Sequence, residues 1–301
     1  MSAEVKFVNA GVLRIAYLED GVADGWPVVL SHGFPYDVHA YDEVVPLLAS
    51  HGARVIRPYL RGFGLTRFLS DDTMRSGQQA ALGSDVLALL DALGLEGAIV
   101  AGYDWGGLAS CVVTALWPQK VAGLVSLASY DIINLVEQQQ ASLPELEHVM
   151  WYQHLFQSKR GQDCLAKHRV ELCRMLWNQW SPHWMFSDAT FSQTAVAFDN
   201  PDFVPVVVHA YRHNMGCSAG DPALQDLEDC LAGQPGIRVP AVTLDGLADP
   251  LKPGGTVHQK DKFIARHEHR QVAAGHNLPQ EAPAAFADAI LTVRKWVEPV
   301  S

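Results

Sequence analysis

The sequence predicts an α/β fold, with a mostly parallel central sheet flanked by helices and a helical cap lobe inserted into it. Three observations carry this. Short apolar runs alternate with helical patterns over most of the chain. Those runs lack the polar alternation of half-exposed strands. The alternation stops between about residues 132 and 216 and then resumes.

The apolar runs are taken in chain order. "PVVLSHG" (27–33), "ARVIRPYL" (53–60), "GAIVAGY" (97–103), "VAGLVSLAS" (121–129) and "VPAVTLDG" (239–246) are rich in Val, Ile and Leu. Continuous apolar strands of this kind are covered on both faces, as in a parallel sheet. Between them, "SDVLALLDALG" (84–94) places Val86, Leu89, Leu90 and Leu93 on one face, with Ser84 as a cap and Gly94 as a stop. "ARHEHR" (265–270) reads as a solvated face. The middle segment holds many aromatics and helical stretches such as "LAKHRVELCRMLWNQW" (165–180). The division expected is a core of residues 1–131 and 217–301, with 132–216 inserted as a cap.

Composition narrows the function. The chain has 301 residues, 49% of them hydrophobic, enough for one large core. Its formal net charge is −11 and its lysines and arginines are scattered, so neither nucleic acid nor an anionic membrane is an expected partner. The start, "MSAEVKFVNA", lacks a charged segment followed by an apolar run, and no apolar stretch reaches the roughly 18 residues of a membrane span. Cys111, Cys164, Cys173, Cys217 and Cys230 are odd in number and show no C-x-x-C spacing, which fits a reduced, cytoplasmic protein. A small apolar molecule and water are the expected partners of a monomer or homodimer. No metal cluster or phosphate loop is recognisable, so no cofactor is expected.

The chemistry concentrates at "AGYDWGG" (101–107). Gly102, Asp104 and Gly106 have the spacing of a tight strand-to-helix turn that lifts its central side chain above the sheet edge. The competing reading makes Asp104 only a helix cap. Two further pieces follow in order. Asp249 in "LDGLADPL" (244–251) and His276 in "AAGHNLPQEAP" (273–283) both sit in loops after strands. Asp245 competes with Asp249 for the acid role but lies nearer the strand. After an early strand, "SHGFP" (31–35) can aim the Phe34 N–H at a developing oxyanion, together with the Trp105 N–H. His32 is read as a brace for this loop.

These pieces resemble those of α/β-hydrolases, in the branch that joins epoxide hydrolases and haloalkane dehalogenases. "SHGFP", "LRGFGLT" (60–66), "GYDWGG" and "GLADPL" carry the resemblance, with Asp where most relatives have Ser. It implies Asp104 as nucleophile with Asp249 and His276 completing a triad. In epoxide hydrolases two cap tyrosines reach the site. "WYQHLFQ" (151–157) supplies Tyr152 and "HAYRHNM" (209–215) supplies Tyr211. The implied activity is conversion of an epoxide to a diol; the many aromatics, with Trp105, Phe34, Trp151 and Phe156 expected to line the substrate pocket, point to an apolar or aromatic epoxide. A haloalkane dehalogenase and a non-catalytic ligand-binding hydrolase fold are the alternatives. The arginines that fluoroacetate dehalogenases carry after the nucleophile are absent here, where Leu108 stands. Tyr103 replaces the His usual before the nucleophile, and Tyr59 an Asp.

Overall fold

The computed structural model describes residues 4–298. The first three and last three residues, which fall in the expected core segments 1–131 and 217–301, lie outside the described residues.

The strands are β1 (Val5–Ala10), β2 (Leu13–Gly21), β3 (Trp26–Ser31), β4 (Ala53–Pro58), β5 (Arg67–Phe68), β6 (Ala98–Gly102), β7 (Val121–Leu127), β8 (Ala241–Gly246) and β9 (His267–Val272). They form one sheet in the order β1-β2-β4-β3-β6-β7-β8-β9, with β5 paired to β2. From β4 to β9 neighbouring strands are parallel, while β1 and β2 run antiparallel. All five residues of β6 are buried, and four consecutive residues of β3 are too, as expected of strands with helices on both faces.

Helices α1 (Val44–Ala49), α2 (Gln79–Ala92) and α3 (Trp105–Leu116) precede β7. Between β7 and β8 come α4 (Leu135–Gln138), α5 (Pro144–Val149), α6 (Trp151–Leu155), α7 (Lys159–Trp180), α8 (Asp188–Ala195), α9 (Phe203–Asn214) and α10 (Gln225–Ala232). Then α11 (Leu278–Glu281) and α12 (Pro283–Val297) close the chain.

Two expectations are corrected. α2 begins at Gln79, so Ser84 lies inside the helix and caps nothing. Its apolar face extends a turn upstream through buried Ala80, Ala81 and Leu82, which overrides the cap signal. Gly94, at φ +61, does sit just past the helix end. The segment 265–270 is not a plain solvated face: it forms most of β9, with His267 and His269 both bonded to Thr243 on β8. As an edge strand it pairs on one side only, and so tolerates the polar residues that disguised it.

The sheet positions the chemistry. β3, β6, β7 and β8 run parallel, and the loops that leave their C-terminal ends converge on one edge. Such an edge is where ligands of open α/β sheets bind.

Candidate active site

Asp104 stands between β6 and α3 at φ 52, ψ −128. A non-glycine residue rarely adopts this conformation, at a cost of about 1–3 kcal/mol, and it is sustained only where surroundings overdetermine it. The surroundings here are close-packed backbone. A Cβ on Gly106 would lie 1.8 Å from the Ser31 carbonyl oxygen, and one on Gly102 would lie 2.3 Å from Gly106. The small residues flanking Asp104 are thus required by contact between the turn and β3.

The Asp104 carboxylate is held from two sides. Its Oδ1 accepts hydrogen bonds from the Phe34 and Trp105 N–H groups, both at 2.7 Å. Its Oδ2 lies 3.4 Å from His276 Nε2. Asp104 is bonded to the first N–H of α3, as the cap reading requires, but that bond is one of the pair converging on Oδ1. His276 Nδ1 is 2.8 Å from Asp249 Oδ2, and both residues are buried. Asp245 is not part of this chain of contacts: its oxygens are taken by the Thr256 N–H, the Thr256 hydroxyl and His269.

The His276 loop is clamped by the end of α7. Its N–H donates to the Trp180 carbonyl at 3.0 Å, the Asn277 N–H donates to the Ser181 hydroxyl, and the Trp180 ring packs edge-on against the imidazole. Burial disfavours the imidazolium. The charge of Asp249 opposes that, joined by hydrogen bonds to Asp104 and Asp249 and the charge of Asp104, and together they hold the His276 pKa up at about 10.

Above Asp104 lies a cavity of about 160 Å³ whose walls include Asp104, Trp105, Leu108, Tyr152, Tyr211 and His276. Tyr152 (α6) and Tyr211 (α9) are both buried, with ring centroids 5.1 Å apart and planes at 90°. Burial, and then the Asp104 charge, raise the Tyr152 pKa. Burial, then Tyr152 and Asp104, raise that of Tyr211. Both phenols therefore keep their protons. Gln153 Nε2 donates to the Tyr152 hydroxyl at 3.1 Å.

The other expected pocket residues sit behind this wall. Phe34 is fully buried and stacks on Trp105, Tyr152 and Phe203, so its backbone, not its ring, meets the site. Phe156 is buried against Tyr152 and Tyr211. The Trp151 indole N–H donates to Gln179, off the cavity. His32 braces its loop: Nε2 accepts from the Leu60 N–H, Nδ1 lies 2.9 Å from the Gly33 carbonyl, and burial lowers its pKa to about 4, leaving it neutral. Tyr103 packs against Tyr36, with its hydroxyl unpartnered among the described residues. Its ring centroid is 6.2 Å from that of His276. Tyr59 lies over Gly64, where a Cβ would come within 2.3 Å of its ring at φ +51.

Sequence reasoning missed Asp131, Lys252, Gln138 and Asn214, which line the same cavity. Asp131 carried a signal, an acid just beyond the β7 run. Among the described residues, no group of three or more His, Cys, Asp and Glu is arranged to hold a metal ion, and no helix is long and apolar enough to cross a membrane.

A strained acid at a strand-to-helix turn, with paired backbone donors and a histidine–acid couple in chain order, defines a hydrolase-type site on an α/β sheet. Comparison with known proteins gives the same class. The alpha/beta hydrolase fold family matches residues 27–160. A crystal structure described as that of a "putative epoxide hydrolase" from Klebsiella pneumoniae superposes with a TM-score of 0.95. It is 41% identical, with 97% of each chain covered. The chain belongs to the α/β-hydrolase family.

Epoxide hydrolase B of Mycobacterium tuberculosis is 33% identical over 130 residues, 42% of this chain and 36% of that protein. A haloalkane dehalogenase of Psychrobacter cryohalolentis is 34% identical over 110 residues, 36% of each chain. The matches thus span little more than a third of the length of these curated relatives.

Proposed function

We propose that this chain is an epoxide hydrolase that forms a covalent ester on Asp104, with residues 132–216 serving as a cap that supplies the acid. The observation that supports this most is the pair of buried phenols, Tyr152 and Tyr211, lining the same cavity as Asp104.

An epoxide carbon is saturated, so its opening is a displacement. A carboxylate is already ionised near neutral pH and needs no base for this step, unlike a serine hydroxyl. Asp104 Oδ2 attacks the ring carbon, and the C–O bond breaks toward the ring oxygen. That oxygen takes a proton from one phenol and a hydrogen bond from the other. General acid assistance of this kind is worth about 10²–10⁴-fold, or about 3–5 kcal/mol.

The second half uses the rest of the site. Once Asp104 is an ester, one of the two anions facing His276 is gone, together with its hydrogen bond. The imidazole then loses protons more readily and becomes a base, oriented by Asp249. It takes a proton from water as the water attacks Asp104 Cγ. Negative charge develops on Oδ1, already bracketed by the Phe34 and Trp105 N–H groups. Loss of one such donor costs about 3–4 kcal/mol in related chemistry. The Cγ–Oδ2 bond then breaks, Oδ2 takes the proton from His276 and leaves with the diol, the water oxygen remains on Asp104, and the remaining water proton restores the phenol that gave one up.

The test is a panel of aryl and alkyl epoxides alongside chloroalkanes. The reading expects diol without halide release. Halide release from chloroalkanes with no diol would make the chain a dehalogenase, and ligand binding without either product would make it a binding module.

A further inference from the structure

Two cavities meet above Asp104. The inner one holds the reacting groups. An outer one of about 610 Å³ adjoins it, and the two share Ile133, Gln138 and Lys252. The inner volume of about 160 Å³ compares with the roughly 150 Å³ that holds a benzene molecule. A longer substrate must therefore run past Lys252 and Gln138 into the outer space.

Lys252 is the only lysine or arginine lining the inner cavity among the described residues. It lies in the turn that carries Asp249, and its backbone N–H approaches the Asp249 carbonyl at 3.4 Å. Its Nζ is 3.7 Å from Asp131 Oδ1, too far for a hydrogen bond of ordinary length. Asp131, which lines the cavity, follows two residues of positive φ, Ala128 and Ser129, both at 66°, and its Oδ2 accepts a hydrogen bond from the Ser126 hydroxyl at 3.0 Å. Burial pushes the Asp131 carboxyl up to about 7, against the pull of Lys252 and the Ser126 hydroxyl. Near neutral pH its negative charge is therefore incomplete, and it compensates the ammonium only in part. Gln138 and Asn214 add amide groups to the cavity wall. In the outer cavity the acids are Glu137 and Asp261 and the second lysine, Lys262, stands over the Tyr130 ring, so Lys252 is the cation at the junction of the two spaces.

We propose that Lys252 determines specificity by receiving an anionic group, a carboxylate set several bonds from the epoxide ring. The substrate class is then an amphipathic epoxide with a distal acid rather than a plain hydrocarbon epoxide. This rests on the epoxide reading of Asp104. It also explains how Leu108 can stand beside the nucleophile: a carboxylate on the reacting carbon finds no cation there, whereas one at the rim does. The net charge of −11 offers an anion no long-range attraction, so the recognition is local.

The experiment measures binding on the intact protein by calorimetry, with 4-phenylbutyrate and its uncharged amide as probes. The acid is expected to bind about tenfold more tightly than the amide, equivalent to about 1.4 kcal/mol. Lys252→Met should abolish that preference, Lys252→Arg should keep it, and Asp131→Asn should enlarge it by removing the competing carboxylate. An equal affinity for both probes, or a preference that survives Lys252→Met, overturns the proposal. The second arm compares a terminal epoxy acid with its methyl ester, where Lys252→Met should raise the acid's KM relative to the ester's. If no epoxide turns over while the Lys252-dependent preference holds, the epoxide reading fails and the anion site stands. If neutral epoxides turn over and the preference is missing, only the anion site fails.

Discussion

Replacing the two phenols by phenylalanine isolates the step that separates epoxide opening from other chemistry at Asp104. Tyr152 and Tyr211 are 3% and 4% exposed, so neither ring can be replaced by bulk water without repacking. Each single Tyr→Phe variant removes one hydrogen bond to the nascent alkoxide while the other phenol remains in place. A hydrogen bond to a charged group is worth about 1.5–3 kcal/mol, so each single change should lower kcat/KM for an epoxide by about 10- to 150-fold. The double variant loses the proton source as well, and the fall should reach about 10³-fold or more. The rings touch, so the two effects should not simply add. Tyr152→Phe also strands the Gln153 amide that donates to the hydroxyl, at a cost of about 1 kcal/mol of stability, so melting temperatures must accompany the kinetics. The assay is diol formation under single-turnover conditions. A folded double variant that retains activity within about threefold of the parent would refute the assignment of the phenols as acids.

Other expectations follow from the same geometry. His276→Gln should permit alkylation but block hydrolysis, so intact-protein mass spectrometry should show the chain gaining one substrate mass. The His276 ring should titrate near pH 10 by NMR in the resting protein, and Asp104→Asn should lower that value by removing a facing anion. Because this pKa is raised on folding, the ion pair with Asp249 contributes its full stability below about pH 6.5 and loses it as pH rises through about 10. A denaturation series across that range should show the decline. Gly106→Ala should destabilise the chain by about 3 kcal/mol or more, since its Cβ meets the Ser31 backbone at 1.8 Å; chemical denaturation measures this.

Much of the architecture is legible because strands buried on both faces have to be apolar throughout. The central runs ending at Ser31, Pro58, Gly102, Leu127 and Gly246 show this. The edges were less legible. β1, β2 and β9 face neighbours on one side or run antiparallel, and their polar residues mimic loops. At the site, Asp104, Asp249, His276 and the Phe34 and Trp105 amides come together because fixed spacing within a turn, or position after a strand, brings them there. Trp151 and Phe156 were read as lining from the aromatic content of the segment, but the Trp151 indole turns to Gln179 and the Phe156 ring packs behind Tyr152 and Tyr211. Asp131 and Lys252 belong to no motif. They meet only through a strained turn after β7 and a loop after β8, a pairing set by tertiary contact.

The central claim is that the oxygen first joined to the substrate belongs to Asp104. One turnover in ¹⁸O-labelled water, with enzyme in excess over epoxide, measures this directly. The account predicts an unlabelled diol and one heavy oxygen left on the Asp104 peptide. A fully labelled diol from that first turnover would mean that water attacks the ring itself, and the covalent route would be wrong.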